Sequence, residues 1–128
     1  MDASLWNIGV KVEDLEKEME FFEALGAEVL MHERGTAFIG FGGTRLFLTP
    51  HLAFEDKLDH QPRPGLTHAV FEVEDFEAAF EELMELGTEI LVDPKTISGT
   101  FGSRRLAFFR SPNGLVFEIM QIFESTIK

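Results

Sequence analysis

Apolar and polar residues alternate near the start of the chain, which is the pattern of a β-strand with one buried face. The apolar members are Ile8, Val10 and Val12, and Asn7, Gly9 and Lys11 lie between them. Asp14 follows, at a position where a carboxylate caps a helix. Apolar residues then recur at helical spacing, at Leu15, Met19, Phe22 and Leu25. Gly26 comes next, and glycine commonly ends helices. The pattern predicts a strand followed by an amphipathic helix.

The same pattern returns 61 residues further along the chain. Residues 12–30 align with residues 73–91 without a gap, and nine of the 19 positions are identical. The second copy has its own alternating strand, helix cap, apolar stripe and terminal glycine: Ala69, Phe71 and Val73; Asp75; Phe76, Ala79, Phe80 and Leu83; Gly87. Amphipathic helices resemble one another by chance, but chance does not readily supply matching start and stop signals as well. We infer an internal duplication.

Three more strand candidates follow each helix. They are Glu28–Glu33, Thr36–Phe41 and Thr44–Thr49 in the first copy, and Glu89–Pro94, Arg104–Arg110 and Leu115–Ile122 in the second. The predicted fold is therefore α+β. Two tandem βαβββ modules, residues 1–49 and 65–128, are joined by a proline-containing linker at 50–64. One module leaves one sheet face uncovered, so we expect two modules, from one chain or from two, to form a single domain with an eight-stranded curved sheet around a cup.

Composition narrows the classes of partner. The 128 residues are 45% hydrophobic, include 14 Phe, and contain no Cys, which excludes thiolate metal sites. A net charge of −12 argues against nucleic acid and anionic membrane as partners. The first residues do not form a signal peptide, so we expect a cytoplasmic protein.

Strand alternation places polar residues on the face of each sheet that lines the cup. Asn7 and His68 occupy equivalent positions under the 61-residue shift. A second shift, of 71 residues, sets Phe47 opposite Glu118. Glu118 is flanked by apolar residues on a strand, where its charge is costly to bury without a cation or a hydrogen-bond donor.

Two stretches carry a family resemblance that covers essentially the whole chain. The pattern xVxDLExxxxFxxxLG, ending at Gly26, and the closing strand SPNGLVFEIMQ (residues 111–121) resemble the vicinal oxygen chelate superfamily, which contains glyoxalases, bleomycin-resistance proteins and dioxygenases. The resemblance implies a divalent metal, Fe, Mn, Ni or Zn, held at the positions of Asn7, Phe47, His68 and Glu118. His68 and Glu118 match the usual ligand types. Asn7 offers only a weak neutral oxygen in place of His or Gln, and Phe47 cannot bind a metal.

The resemblance leaves two functions in competition. The first is an enzyme of lyase, isomerase or dioxygenase class. In it His68, Glu118 and Asn7 hold the ion, Glu118 is also the catalytic residue, and a small oxygen-rich substrate reacts through an enolate or oxyanion. The second is a metal-free, ligand-sequestering protein of bleomycin-resistance type. A third possibility is a structural domain with a dry cup. In each case we expect a homodimer, and a small molecule as the ligand of the first two.

Other candidates complete the predicted cup. Phe47, Arg45, Arg104 and Arg110 are candidate substrate-pocket residues, and arginine suits an anionic substrate. For any single one of these arginines, exposure to solvent is the commoner arrangement. Residues 99–105 (GTFGSRR) have the composition of a mobile lid. His32, His51 and His60 are expected at the surface, unless His51 folds back over the cup.

Overall fold

A computed structural model describes residues 1–99 and 101–127. Its described part contains two copies of the order strand, helix, three strands. The first copy comprises β1 (Ala3–Lys11), α1 (Leu15–Ala24), β2 (Glu28–Glu33), β3 (Thr36–Phe41) and β4 (Thr44–Thr49). The second comprises β5 (Gly65–Val73), α2 (Phe76–Glu85), β6 (Glu89–Gly99), β7 (Gly102–Arg110) and β8 (Val116–Ser125). The predicted α+β class and duplicated βαβββ order are confirmed. No helix in the described ranges is long and apolar enough to cross a membrane.

The chain divides into two compact units that do not coincide with the sequence repeats. The first unit is Asn7–Thr67, and the second joins Met1–Trp6 to the chain from His68 onward. The strand β1 therefore contributes residues to both units.

In the first unit the strands follow the order β2-β3-β4-β1, with β1 parallel to β4 and the other pairs antiparallel. Asp14 caps α1 as predicted, since its carboxylate accepts the Lys17 amide N–H at 3.1 Å. The helix covers one sheet face through a core of alternating strand residues: Val10, Val12, Met19, Ala37, Ile39 and Leu48. Leu25 does not join this stripe. It is 54% exposed because the helix already ends beside it.

In the second unit the order is β5-β8-β7-β6, again with one parallel pair, β5 and β8. Asp75 caps α2 by accepting the Ala78 amide N–H at 3.1 Å. The apolar stripe of α2 packs on the sheet, in a core that contains Val73, Phe76, Ala79, Leu83, Ala107, Phe109 and Ile119. Gln121, from β8, accepts the Phe76 amide N–H at 2.9 Å and so joins the strand to the start of the helix.

The β6–β7 hairpin is longer than predicted. Strand pairing continues to Gly99 and resumes at Gly102, so the described part of residues 99–105 forms the end of this hairpin. A mobile lid at this position stays a prediction. Thr100 lies outside the described residues. The sequence hid this extension because two irregularities, at Ile90/Val92 and Val92/Lys95, break the alternation along β6.

The segment predicted as a linker packs against the first unit. Leu52 and Phe54 are buried, and a single 3₁₀ turn spans Glu55–Lys57. Glu55 accepts hydrogen bonds from Lys11 at 2.5 Å, from the Leu52 amide at 3.0 Å and from Gln61 at 3.1 Å. Residues 51–61 are thereby attached to β1.

Candidate functional site

The sheet of the second unit has an open face, which we define as the face opposite α2. Strand register places Phe108 of β7 beside Glu118 of β8, and Leu106 beside Met120. Their neighbours in sequence, such as Phe109 and Ile119, point to the helix core. The ring of His68 lies 5.4 Å from that of Phe108, which places His68 on the same open face as predicted.

His68 and Glu118 are brought together on this face. His68 Nε2 lies 4.0 Å from Glu118 Oε1, and the two residues are only 8% and 7% exposed. Their separation exceeds a hydrogen-bond distance. The structure therefore places an imidazole and a carboxyl in one buried position without a direct bond between these two atoms.

Burial disfavours the charged form of both groups. It raises the pKa of Glu118 to about 8, against the opposing effect of the Arg104 and Lys95 charges. It also lowers the pKa of His68 to about 4. At neutral pH the imidazole is therefore neutral and the carboxyl mostly protonated, so their contact is not an ion pair. A neutral imidazole is the form that binds metals, whereas the carboxyl must lose its proton to do so.

Arg104 is the second notable residue of the open face. It is 4% exposed, so this candidate pocket residue is buried, whereas solvent exposure is the commoner arrangement for an arginine; its role in a pocket stays a prediction. Its Nη1 contacts Met120 Sδ at 3.3 Å, and its guanidinium carbon lies 5.2 Å from the centre of the Trp6 ring and 4.7 Å from that of Phe101. Its Nε and Nη2 are buried and have no hydrogen-bond partner. Burial lowers the pKa of Arg104, and the charges of Glu118 and Glu72 oppose that effect.

The other two family ligand positions lie in the first unit. Asn7 is buried on β1, in register with Arg45 of β4. Phe47 pairs with Gly9 in that register, and its ring lies 4.6 Å from that of Phe38. Across the described residues, no group of three or more His, Asp or Glu side chains is close enough to hold a metal ion. Of the four family ligand positions, His68 and Glu118 are the two ionisable ones, and they lie close together.

Arg110 and two of the other histidines have acidic partners other than Glu118. Arg110 is partly buried and reaches Glu89 at 3.6 Å. The histidines expected at the surface are there: His32 is 3.3 Å from Glu16, His60 is 2.9 Å from Asp59, and the His51 side chain is 76% exposed.

Sequence reasoning missed the rings around the site. Trp6 and Phe101 flank Arg104, and Phe108 contacts His68. Phe108 is the register partner of Glu118, so the two side chains share a face of the sheet. Alternation along β7 therefore indicates that Phe108 lies near the site. Trp6 lies at the start of the chain and Phe101 at a hairpin end, and no local pattern links either one to Arg104.

Comparison with known proteins identifies the class. Residues 6–119 match the family model of the Glyoxalase/Bleomycin resistance protein/Dioxygenase superfamily. The chain belongs to this superfamily, as its sequence motifs predicted.

Individual relatives align over nearly the whole chain. The chain is 30% identical to the uncharacterized protein YwkD of Bacillus subtilis (strain 168), over 92% of this chain and 96% of that protein. A crystal structure of the hypothetical protein BH1468 from Bacillus halodurans C-125 matches with a TM-score of 0.74 and 23% identity, covering 98% of both chains. A methylmalonyl-CoA epimerase variant from Streptomyces coelicolor, in complex with 2-nitronate-propionyl-CoA, gives a TM-score of 0.71 and 23% identity, over 95% of this chain and 96% of that one. At this level of identity the solved structures share the fold.

Proposed function

We propose that this protein is a metal-dependent enzyme in which His68 and Glu118 bind a divalent ion and act on a small oxygen-rich substrate. The observation that carries the proposal is their position 4.0 Å apart on a buried sheet face. A buried carboxyl with a raised pKa is costly to ionise, and a bound cation would offset that cost. The superfamily supports the proposal, because its members often use divalent metals.

The ion would supply Lewis-acid polarisation of substrate oxygens, which favours reactions through an enolate or oxyanion, of lyase, isomerase or dioxygenase type. His68 would bind through a neutral imidazole nitrogen, and its low pKa keeps that nitrogen available across the physiological range. Glu118 would bind as the carboxylate. The apolar ring of Phe108 lies 5.4 Å from that of His68 and would limit the access of water to the pair. Asn7 as a third ligand stays a prediction from the sequence.

Metal analysis of protein purified without an affinity tag tests the proposal. We expect about one Fe, Mn, Ni or Zn ion per chain, lost in His68→Ala and in Glu118→Gln. His60→Ala is the matched control because its side chain is 74% exposed and paired with Asp59. Loss of the ion in Asn7→Ala would assign the third ligand. If wild-type protein takes up none of these ions at roughly tens of micromolar, the proposal fails.

The second candidate function is metal-free ligand binding of the bleomycin-resistance type. The small donor set favours it: within residues 1–99 and 101–127, His68 and Glu118 have no third ionisable ligand beside them. Under this alternative the protein binds no divalent ion, and a small molecule raises its melting temperature equally with and without a chelator.

A further inference from the structure

Arg104, on the open face of the second unit, has a guanidinium edge with no hydrogen-bond partner. Two of its nitrogens, Nε and Nη2, are buried and make no hydrogen bond. The third, Nη1, is directed to the sulfur of Met120. A buried charged donor without an acceptor costs free energy, so the fold keeps this edge at the expense of stability.

The two unpartnered nitrogens point to one kind of ligand. In a guanidinium group the Nε–H and one Nη2–H are parallel and lie on the same edge, which matches the two oxygens of a carboxylate. The rings of Trp6 and Phe101 lie 5.2 Å and 4.7 Å from the guanidinium carbon. A planar carboxylate can lie in the plane of the guanidinium beside such rings, whereas a tetrahedral phosphate extends above and below that plane.

We propose that Arg104 binds the carboxylate of the ligand through Nε and Nη2, so that the substrate class is small organic carboxylic acids. This assignment rests on the proposed function for the site, because strand register places Arg104 and Glu118 on the same face of the sheet. The carboxylate would be held by Arg104 while the adjacent oxygen-bearing carbon faces His68 and Glu118. Lys95, whose charge also acts on Glu118, adds positive charge to this face.

Access requires movement of a covering side chain, since both free nitrogens are buried. Phe101 is the partly buried ring beside them, immediately before β7 begins. Gly99 lies against that ring: a Cβ on Gly99 would be 3.3 Å from the nearest ring atom of Phe101. Binding would therefore require the Phe101 ring to move away from the guanidinium.

The single tryptophan of the chain provides the measurement. Trp6 contacts Arg104, and the sequence contains no tyrosine, so fluorescence excited at the red edge of the indole band reports on this site alone. Protein treated with a chelator is titrated with propionate, lactate and benzoate at constant ionic strength, each acid against its own amide. Inorganic phosphate is titrated in parallel. Chelator treatment makes the result independent of metal binding.

We expect at least one acid to change the Trp6 emission with saturation, and to bind at least about tenfold more tightly than its amide. Arg104→Lys keeps the charge but removes the paired nitrogens, and should weaken binding about tenfold or more. Arg105→Lys is the matched control: Arg105 is adjacent, contacts Glu77 at 2.6 Å, and packs on Phe76 of the helix core. If Arg104→Lys does not fold, the acid–amide difference in wild-type protein still decides.

Three outcomes would overturn the assignment: acids that bind no better than amides up to roughly 50 mM, phosphate that binds more tightly than every acid, or Arg105→Lys as harmful as Arg104→Lys. Metal uptake with no acid binding would refute the carboxylate assignment and leave the proposed function standing. Acid binding without metal uptake would support the carboxylate assignment and refute the proposed metal-dependent function.

Discussion

Glu118 is a deeply buried carboxyl group, and its titration makes the stability of the metal-free protein depend on pH. Its pKa rises to about 8 in the folded protein from an ordinary value of 4.5, because burial disfavours the carboxylate. Between these two values the unfolded chain loses the Glu118 proton while the folded chain keeps it. The free energy of unfolding therefore decreases as the pH rises through this window in metal-free protein.

Glu118→Gln should remove that dependence, because an amide does not titrate. We expect the melting temperature of the chelator-treated variant to exceed that of wild type by about 5 °C or more at pH 8. The difference should shrink toward pH 5. Thermal unfolding followed by circular dichroism checks this. The exposed Glu81→Gln is the control and should show no such trend. A variant–wild-type difference that is constant between pH 5 and pH 8 would contradict the burial of Glu118.

Individual residues also show how far sequence reasoning reached. Alternation predicts that His68 and Glu118 share the face opposite α2, and the register and the ring contact of His68 with Phe108 agree. Their role as metal ligands stays a prediction. Arg104 is a candidate pocket residue in the sequence, but nothing local reveals which rings distant in sequence lie against it. Trp6 comes from β1 and Phe101 from the turn between β6 and β7, and only the folded unit brings them to Arg104.

Among the elements, the β6–β7 hairpin depends on one glycine. Gly102 has a φ of +112°, and a Cβ there would lie 2.0 Å from the carbonyl oxygen of Glu124 on β8. That distance is far below van der Waals contact, and the obstacle is backbone rather than a flexible side chain. Gly114 also has a positive φ, +92°, but nothing lies within 4 Å of its Cβ position.

Gly102→Ala should therefore destabilise the protein more than Gly114→Ala. We expect a loss of more than about 3 kcal/mol for the first, because it combines an unfavourable φ with a clash. About 1–2 kcal/mol is expected for the second, from φ alone. Chemical denaturation measures both. Equal losses would show that β7 and β8 separate easily at this point.

The segment at residues 51–61 is attached to β1 by an ion pair with little exposure. The side chains of Lys11 and Glu55 are 9% and 8% exposed. The hydrogen bond from Lys11 is the main cause that lowers the pKa of Glu55. Leu52 and Phe54, which precede Glu55 in the sequence, are also buried. Residues 51–61, which the composition predicts to be a linker, are therefore part of a packed unit.

Lys11→Met should cost about 3 kcal/mol of unfolding free energy at pH 7, because it leaves a buried carboxylate without its cation. The double variant Lys11→Met/Glu55→Gln should recover part of that loss. Lys17→Met is the control, since the Lys17 side chain is 84% exposed and 4.0 Å from Asp14. Its denaturation midpoint should match wild type. A Lys11→Met variant as stable as Lys17→Met would contradict a stabilising role for the pair.

For the whole molecule, the division into compact units differs from the duplication in the sequence. The repeats predict that the first residues belong with the first copy, yet Met1–Trp6 cluster with the second. Met1 reaches Glu82 of α2 through its amino group, and Trp6 contacts Arg104 of β7. An alignment of the two repeats pairs equivalent residues, but it does not show which unit the first residues pack against. The predicted homodimer and the module boundaries stay predictions.

Trp6→Ala should consequently loosen the second unit selectively. Loss of a buried tryptophan typically costs about 3–5 kcal/mol, and the lost contact is with β7. We expect hydrogen–deuterium exchange to increase more in β7 and β8 than in β2 and β3. Leu5→Ala, an exposed neighbour on the same strand, is the control. A uniform increase over both units would show that Trp6 supports the entire protein instead.

The paired rings of Phe38 and Phe47 have an evolutionary consequence. Duplication creates two equivalent places for chemistry, and in this chain the position equivalent to Glu118 holds an aromatic residue, Phe47, whose ring is tilted by 39° against that of Phe38. Reverting Phe47 to an acid would place a charge against a phenyl ring, in a unit whose own connector has become part of its packing. Because Asn7 and Phe47 both differ from His68 and Glu118, no single substitution gives the first copy the imidazole–carboxyl pair of the second.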